Sequence, residues 1–209
     1  MIAEKSPKSI PRQNRPLKRP PRSLVYEIIN GQPVYYKGYQ EVMAGSKKLE
    51  DIMGASALQA VIISYILQIL FRFLDEKKYL ILTNEPGLHL NKRNNLSGDI
   101  LIYDRSIFSV KTADKHYLLL PPKIQIEVDT NADLKHFGTM ENYLTLKTQK
   151  LLDFGVEKVI WILSEEKKVL IALQKEDWLM IDWHKSVEIL DGFSFNVGQY
   201  LKDEGSEFA

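Results

Sequence analysis

Lys123-Ile124-Gln125-Ile126-Glu127-Val128-Asp129 sets Ile124, Ile126 and Val128 in strict alternation with polar and charged residues. Successive side chains of a β-strand point to opposite faces. The segment therefore has one greasy face and one that carries two carboxylates, an amide and an amine. A half-exposed edge strand has the same pattern without any chemistry. The chemical reading comes from a segment earlier in the chain, Ser97-Gly98-Asp99-Ile100-Leu101-Ile102-Tyr103, where a single aspartate stands at the mouth of an apolar strand. An aspartate opening one strand and a glutamate on the next can together hold a hard divalent cation.

The chain has 209 residues and is 44% hydrophobic, which suits one domain with a full core. It has no cysteine, so disulfides, thiolate zinc sites and a cysteine nucleophile are excluded, and a reducing cytoplasm is the expected setting. The N-terminus has charge and proline but no apolar core of a secretory signal. The longest greasy stretch, Leu58 to Leu74, is interrupted by Gln59, Ser64, Gln68 and Arg72. It is too short and too polar for a membrane span and reads as a buried helix.

The net charge of +1 hides an asymmetry. Residues 1–22 hold seven basic residues (Lys5, Lys8, Arg12, Arg15, Lys18, Arg19 and Arg22), one acid, Glu4, and five of the nine prolines. This leader is expected to be disordered, either a soluble extension or an electrostatic arm for phosphates. Residues 23–209 form the expected single domain. They keep 21 basic against 26 acidic residues, a net −5, which argues against a broad duplex-binding surface.

The remaining pattern is mixed α and β. Leu24 to Ile29 and Val34 to Tyr36 flank Asn30-Gly31, a hairpin signal. Lys48 to Asp75 reads as one helix, apolar nearly all round. Tyr79 to Thr83 and Gly87 to Leu90 read as one strand broken at Pro86-Gly87, Asn91 to Gly98 as a polar turn, and Asp99 to Tyr103 as a strand. Asn142 to Phe154 reads as a helix ended by Gly155. Lys158 to Leu163, Val169 to Leu173, Trp178 to Trp183 and the Val187 to Phe195 region are further strands. The order implies an α/β or α+β sandwich.

Asp99 and Glu127 suit Mg²⁺, with Mn²⁺ as an alternative, because Mg²⁺ takes one or two carboxylates and keeps its waters. The backbone carbonyl of Val128 is a candidate third ligand. Such a cation would acidify a water and offset charge on a phosphodiester. The polar face of the Glu127 strand also offers Gln125, as a substrate or water ligand, and Asp129. A nuclease would place a lysine where Asp129 stands. The substitute is Lys147, which shares the inward face of the following helix with Tyr143, Leu144 and Leu151; Lys150, one turn on, is the fallback. The four histidines are scattered without an i, i+4 pair, and there is no P-loop or G-x-G-x-x-G, so zinc-protease and nucleotide-binding readings have no support.

Gly98-Asp99-Ile100-Leu101-Ile102-Tyr103, then Pro121-Pro122 leading to Ile126-Glu127-Val128, then Lys147 with Gly155-Val156-Glu157-Lys158-Val159-Ile160-Trp161, resembles a widespread bacterial family grouped with restriction endonucleases in the PD-(D/E)XK nuclease superfamily. The resemblance runs from about Leu24 to Leu201 and is most specific from Asp99 to Trp161. It implies a restriction-endonuclease-like fold, a central mixed β-sheet flanked by helices. It also implies Mg²⁺ held by Asp99 and Glu127, with Lys147 in the place of the missing strand lysine. Three positions depart from the pattern: Gly98 replaces proline, Asp129 replaces lysine and Leu151 replaces a frequent tyrosine. Asp129 is a further metal ligand, an anchor for the lysine, or a mark of lost catalysis.

The expected function is therefore a Mg²⁺-dependent endonuclease, with DNA favoured over RNA, no membrane partner, and a homodimer as the means to cut both strands. Two alternatives are a catalytically inactive nucleic-acid-binding or scaffold protein on the same fold, and an interaction module that docks through its basic leader.

Overall fold

The first hairpin forms where the sequence places its turn signal. Strands β1 (Val25–Ile29) and β2 (Gln32–Tyr35) run antiparallel across Asn30-Gly31, whose φ values of 56° and 79° are those of a two-residue hairpin turn. The computed structural model describes residues 19–209, so most of the basic leader lies outside the described residues.

Helices α1 (Tyr39–Ala44), α2 (Glu50–Met53) and α3 (Ala57–Phe73) follow. The single helix expected over Lys48 to Asp75 is thus two. Gly54 leaves α2 with extended backbone, and the Ser56 side chain caps α3 by accepting from the Gln59 N–H at 3.1 Å. Helix α3 is not buried all round. Gln59, Ile62, Ile66 and Leu70 form its buried stripe, while Val61, Phe71 and Phe73 are exposed.

The chain then forms β3 (Tyr79–Thr83), β4 (Gly87–Asn91), β5 (Asn94–Ser97), β6 (Ile100–Asp104) and β7 (Ile124–Val128). Next come α4 (Met140–Phe154), β8 (Lys158–Leu163), β9 (Lys168–Leu173), β10 (Leu179–Asp182), β11 (Val187–Leu190), β12 (Phe193–Phe195) and α5 (Val197–Asp203). β3 and β4 are not one broken strand but belong to different sheets. Asn84 and Glu85 both adopt left-handed backbone, φ 73° and 51°, and turn the chain from one sheet to the other. The expected polar turn at Asn91 to Gly98 contains β5, because the buried Asn94 side chain accepts from the Asn30 N–H and donates to Asn91.

The main sheet has six strands in the order β10-β9-β8-β7-β6-β3, and a second sheet has four in the order β2-β1-β5-β4. In the six-stranded sheet β7 and β8 are parallel, joined through α4, and the other pairings are antiparallel. The fold is α+β, a mixed sheet flanked by helices. α3, α5 and the β11-β12 hairpin pack on one face, and α4 with the four-stranded sheet on the other.

This arrangement decides the meaning of the β7 alternation. β7 is a central strand, and all five of its residues are buried. Ile124, Ile126 and Val128 enter the core under α3. Gln125 and Glu127 face the layer made by α4 and the smaller sheet and are also buried. The polar face is therefore an interior one, and the half-exposed edge strand does not occur. No described helix is long and apolar enough to cross a membrane.

Candidate active site

β6 and β7 bring the two acids together. Ile100 lies opposite Ile126 and Leu101 opposite Gln125, so one further step puts Asp99 opposite Glu127 at the same end of the sheet. Asp99 is anchored by its Oδ2, which accepts from the Val128 N–H at 2.7 Å. Glu127 is anchored by its Oε1, which meets Lys147 Nζ at 2.9 Å and accepts a short hydrogen bond from Gln125 Nε2. Among the described residues, Asp99 Oδ1 and Glu127 Oε2 have no hydrogen bond. Each acid thus keeps one oxygen free.

The Gln125 amide packs closely over Gly98. A Cβ there would sit 2.7 Å from Gln125 Nε2 and 2.8 Å from Leu101 Cδ2. A larger residue at 98 would have to displace Leu101 and the Gln125 amide. That amide donates to the Ser97 carbonyl at 3.1 Å, and its Oε1 is buried without a partner among the described residues.

Lys147 projects from the inward face of α4 and is completely buried. Its ammonium lies 2.8 Å from Glu27 Oε1, 2.9 Å from Glu127 Oε1 and 5.2 Å from the centre of the Trp161 ring. The carboxylate contacts are close ion pairs without good hydrogen-bond alignment. Glu27 is equally enclosed: its Oε2 accepts from Tyr143 Oη at 2.9 Å, and its Oε1 from the Ser97 N–H at 2.9 Å. Burial pulls the Lys147 pKa down, but Glu127 and Glu27 outweigh it and hold the ammonium well above the usual lysine range.

The acids feel the same burial with too little compensation. Desolvation pushes Glu127 up to about 8 against the pull of Lys147, and Asp99 up to about 6 against its bond from the Val128 N–H. Glu85 adds to this field from the left-handed turn between β3 and β4. Its side chain reaches solvent, yet desolvation is the chief cause of its raised pKa, with Lys147 lowering it and Glu27 raising it.

The other expected site residues lie elsewhere or are engaged. The Val128 carbonyl accepts from Gln59 Nε2 at 2.8 Å, so the buried amide of α3 already occupies one of its lone pairs. Asp129, at φ 56°, accepts from the Ser164 N–H and Oγ, both at 2.7 Å. Its carboxylate closes the turn between β8 and β9. Lys150 lines a separate cavity with Leu90, Asn94 and Asp153.

Glu27, Glu85 and Gln59 are the residues that sequence reasoning missed. For Glu27 a signal existed: a lone carboxylate in the apolar run Val25 to Ile29 resembles Glu127 in its own strand. Glu85 and Gln59 had none, because their places depend on the turn between the sheets and on the packing of α3.

The residues present fit a divalent cation of the Mg²⁺ type better than an all-protein cage. Among the described residues no group of three or more His, Cys, Asp or Glu could hold a metal. Two acids, each with a free oxygen, match a cation that takes one or two carboxylates and otherwise water and substrate.

No family model and no curated protein matches the chain. A solved structure does: a putative nuclease belonging to DUF820 from Anabaena variabilis, with a TM-score of 0.64 at 12% identity, over 89% of this chain and 94% of that one. At that identity the likeness shows a shared fold.

Proposed function

We propose that the protein is a Mg²⁺-dependent endonuclease of PD-(D/E)XK type that hydrolyses phosphodiester bonds of nucleic acid, with DNA favoured. The observation that carries this reading is the half-anchored state of Asp99 and Glu127. One oxygen of each acid is fixed by the protein and the other is free, at the same end of neighbouring strands. The fold shared with a putative nuclease supports it.

Asp99 and Glu127 would hold the cation. When bound, it would lower the pKa of a water and offset the charge of the phosphodiester. The chain's own contribution is positioning. Tyr143 and Ser97 fix Glu27, Glu27 and Glu127 hold the Lys147 ammonium, and Lys147 with Gln125 fixes Glu127 Oε1. Lys147, being enclosed, serves as a positioning residue in this arrangement. A cut through both strands of a duplex would need two copies of the site, which favours a homodimer. A cytoplasmic setting suits the absence of cysteine.

The test is incubation of plasmid and single-stranded substrates with the protein in Mg²⁺, Mn²⁺ or chelator. Cleavage that needs metal and disappears in Asp99→Ala and Glu127→Ala is the expected result. Metal binding by the wild type without cleavage of any substrate would favour a second reading, a catalytically inactive nucleic-acid binder. The complete enclosure of Lys147 is the observation on that side.

A further inference from the structure

The loop between β6 and β7 combines exposed apolar side chains with basic ones. Ile107, Val110, Tyr117, Leu119 and Leu120 are all exposed there, within a span that also carries Arg105, Lys111, Lys115 and Lys123 against the single acid Asp114. In a body of net −5 this segment is +3. Arg105 is occupied by the carbonyls of Glu76 and Tyr79, and Lys123 by Glu157 at 2.7 Å. Lys111 and Lys115 are exposed and have no ion pair among the described residues.

Tyr117 is the centre of the segment. One side of its ring lies against Gly87, where an added Cβ would be 2.8 to 2.9 Å from three ring carbons. The side chain is nevertheless 55% exposed, so the ring is backed by protein on one side and open on the other. It forms a wall shared by two cavities. One, of about 560 Å³, is lined by Phe108, Leu82, Pro86 and Leu120 and is mainly apolar. The other, of about 420 Å³, contains Glu27, Ser97 and Arg22. The loop is held at its far end by the Tyr103 hydroxyl, which donates to the Leu120 carbonyl at 2.8 Å.

An aromatic ring open on one side, apolar walls and nearby free lysines are what an unpaired nucleotide needs. Its base stacks and its phosphates meet ammonium groups, without any reading of sequence. A base-paired nucleotide keeps its faces stacked inside the duplex and cannot use such a wall. We infer that Tyr117 and the 105–122 loop form a subsite for an unpaired base of a nucleic-acid strand, so that the protein prefers single-stranded or frayed ends over perfect duplex. This rests on the nucleic-acid reading of Asp99 and Glu127, and it adds the class of strand; the second cavity beside Tyr117 is lined by Glu27, which pairs with the same Lys147 as Glu127.

The test is fluorescence anisotropy of a labelled 20-nucleotide single strand and of its blunt duplex with the full chain in chelator, where no cleavage intrudes. The single strand should bind more tightly. Tyr117→Ala should weaken it by about ten-fold or more, and Tyr117→Phe should retain it. Gly87→Ala, which pushes the ring from its seat, should weaken it as well. Circular dichroism and thermal melts of each variant separate loss of binding from loss of fold. Equal binding by Tyr117→Ala, or tighter binding of the duplex, would overturn the subsite. So would a wild-type dimer in light scattering that Tyr117→Ala dissolves, because the face would then be covered by a second copy. Tyr117-dependent strand binding together with an absence of cleavage in any metal would leave the subsite standing and remove the hydrolase reading alone.

Discussion

The two faces of β7 are equally buried and chemically opposite. On one, Ile124, Ile126 and Val128 pack under α3 among aliphatic side chains. On the other, Glu127 meets Gln125 and Lys147, and Lys147 meets Glu27, which Tyr143 holds. The first is ordinary core, and its stability comes from apolar area removed from water. The second encloses charges whose burial is costly unless they are paired. Glu27 and Glu127 share one ammonium there, with Asp99 close enough to raise the Glu127 pKa further. One strand thus supports the fold on one side and holds a buried, paired carboxylate on the other.

That contrast can be broken in several ways. The largest effect is expected from Glu127→Ala, which should lower metal-dependent cleavage by about a thousand-fold or more while the chain stays folded, as judged by urea unfolding. Lys147→Met should act on stability first. Leaving Glu27 and Glu127 buried without their cation should cost about 3–5 kcal/mol, read as a lower urea midpoint. A double Lys147→Met, Glu27→Gln variant should recover part of it.

The acids also make a pH prediction. Glu127 titrates near 8 in the fold against an ordinary 4.5, so between those values the folded state keeps a proton that the unfolded chain has lost. Asp99 does the same between 3.8 and about 6. Metal-free stability should therefore fall as pH rises from about 4 to 8, by roughly 10 °C or more in Tm for a domain of this size. Glu127→Gln should flatten most of the slope. The smallest effect belongs to the apolar face: Ile126→Val should cost about 1 kcal/mol in the same unfolding assay and leave cleavage unchanged.

The alternation in Lys123 to Asp129 was enough to separate these faces, and the order of Asp99, Glu127 and Lys147 was enough to name three residues of the cluster. What local pattern could not reveal was enclosure. A strand with polar alternate positions looks half-exposed until a second sheet covers it, and that sheet comes from the Asn30-Gly31 hairpin and from β5, which reads as a turn. The same long-range pairing brings Glu27 to Lys147 across 120 positions of chain. Asp129 shows the opposite failure. Its place in the strand pattern suggested chemistry, but the backbone turns left-handed there, and its carboxylate goes to Ser164. The break between α2 and α3 was legible in Gly54 and Ser56, a helix breaker and an N-cap inside an otherwise periodic run.

The central claim concerns two free carboxylate oxygens facing one cation, and calorimetric titration of Mg²⁺ and Mn²⁺ into the protein at pH 8 addresses it directly. One site per chain is expected in the wild type and in Asp129→Asn, and no site in Asp99→Asn or Glu127→Gln. Undiminished binding in Glu127→Gln, or no binding in the wild type at millimolar metal, would contradict it.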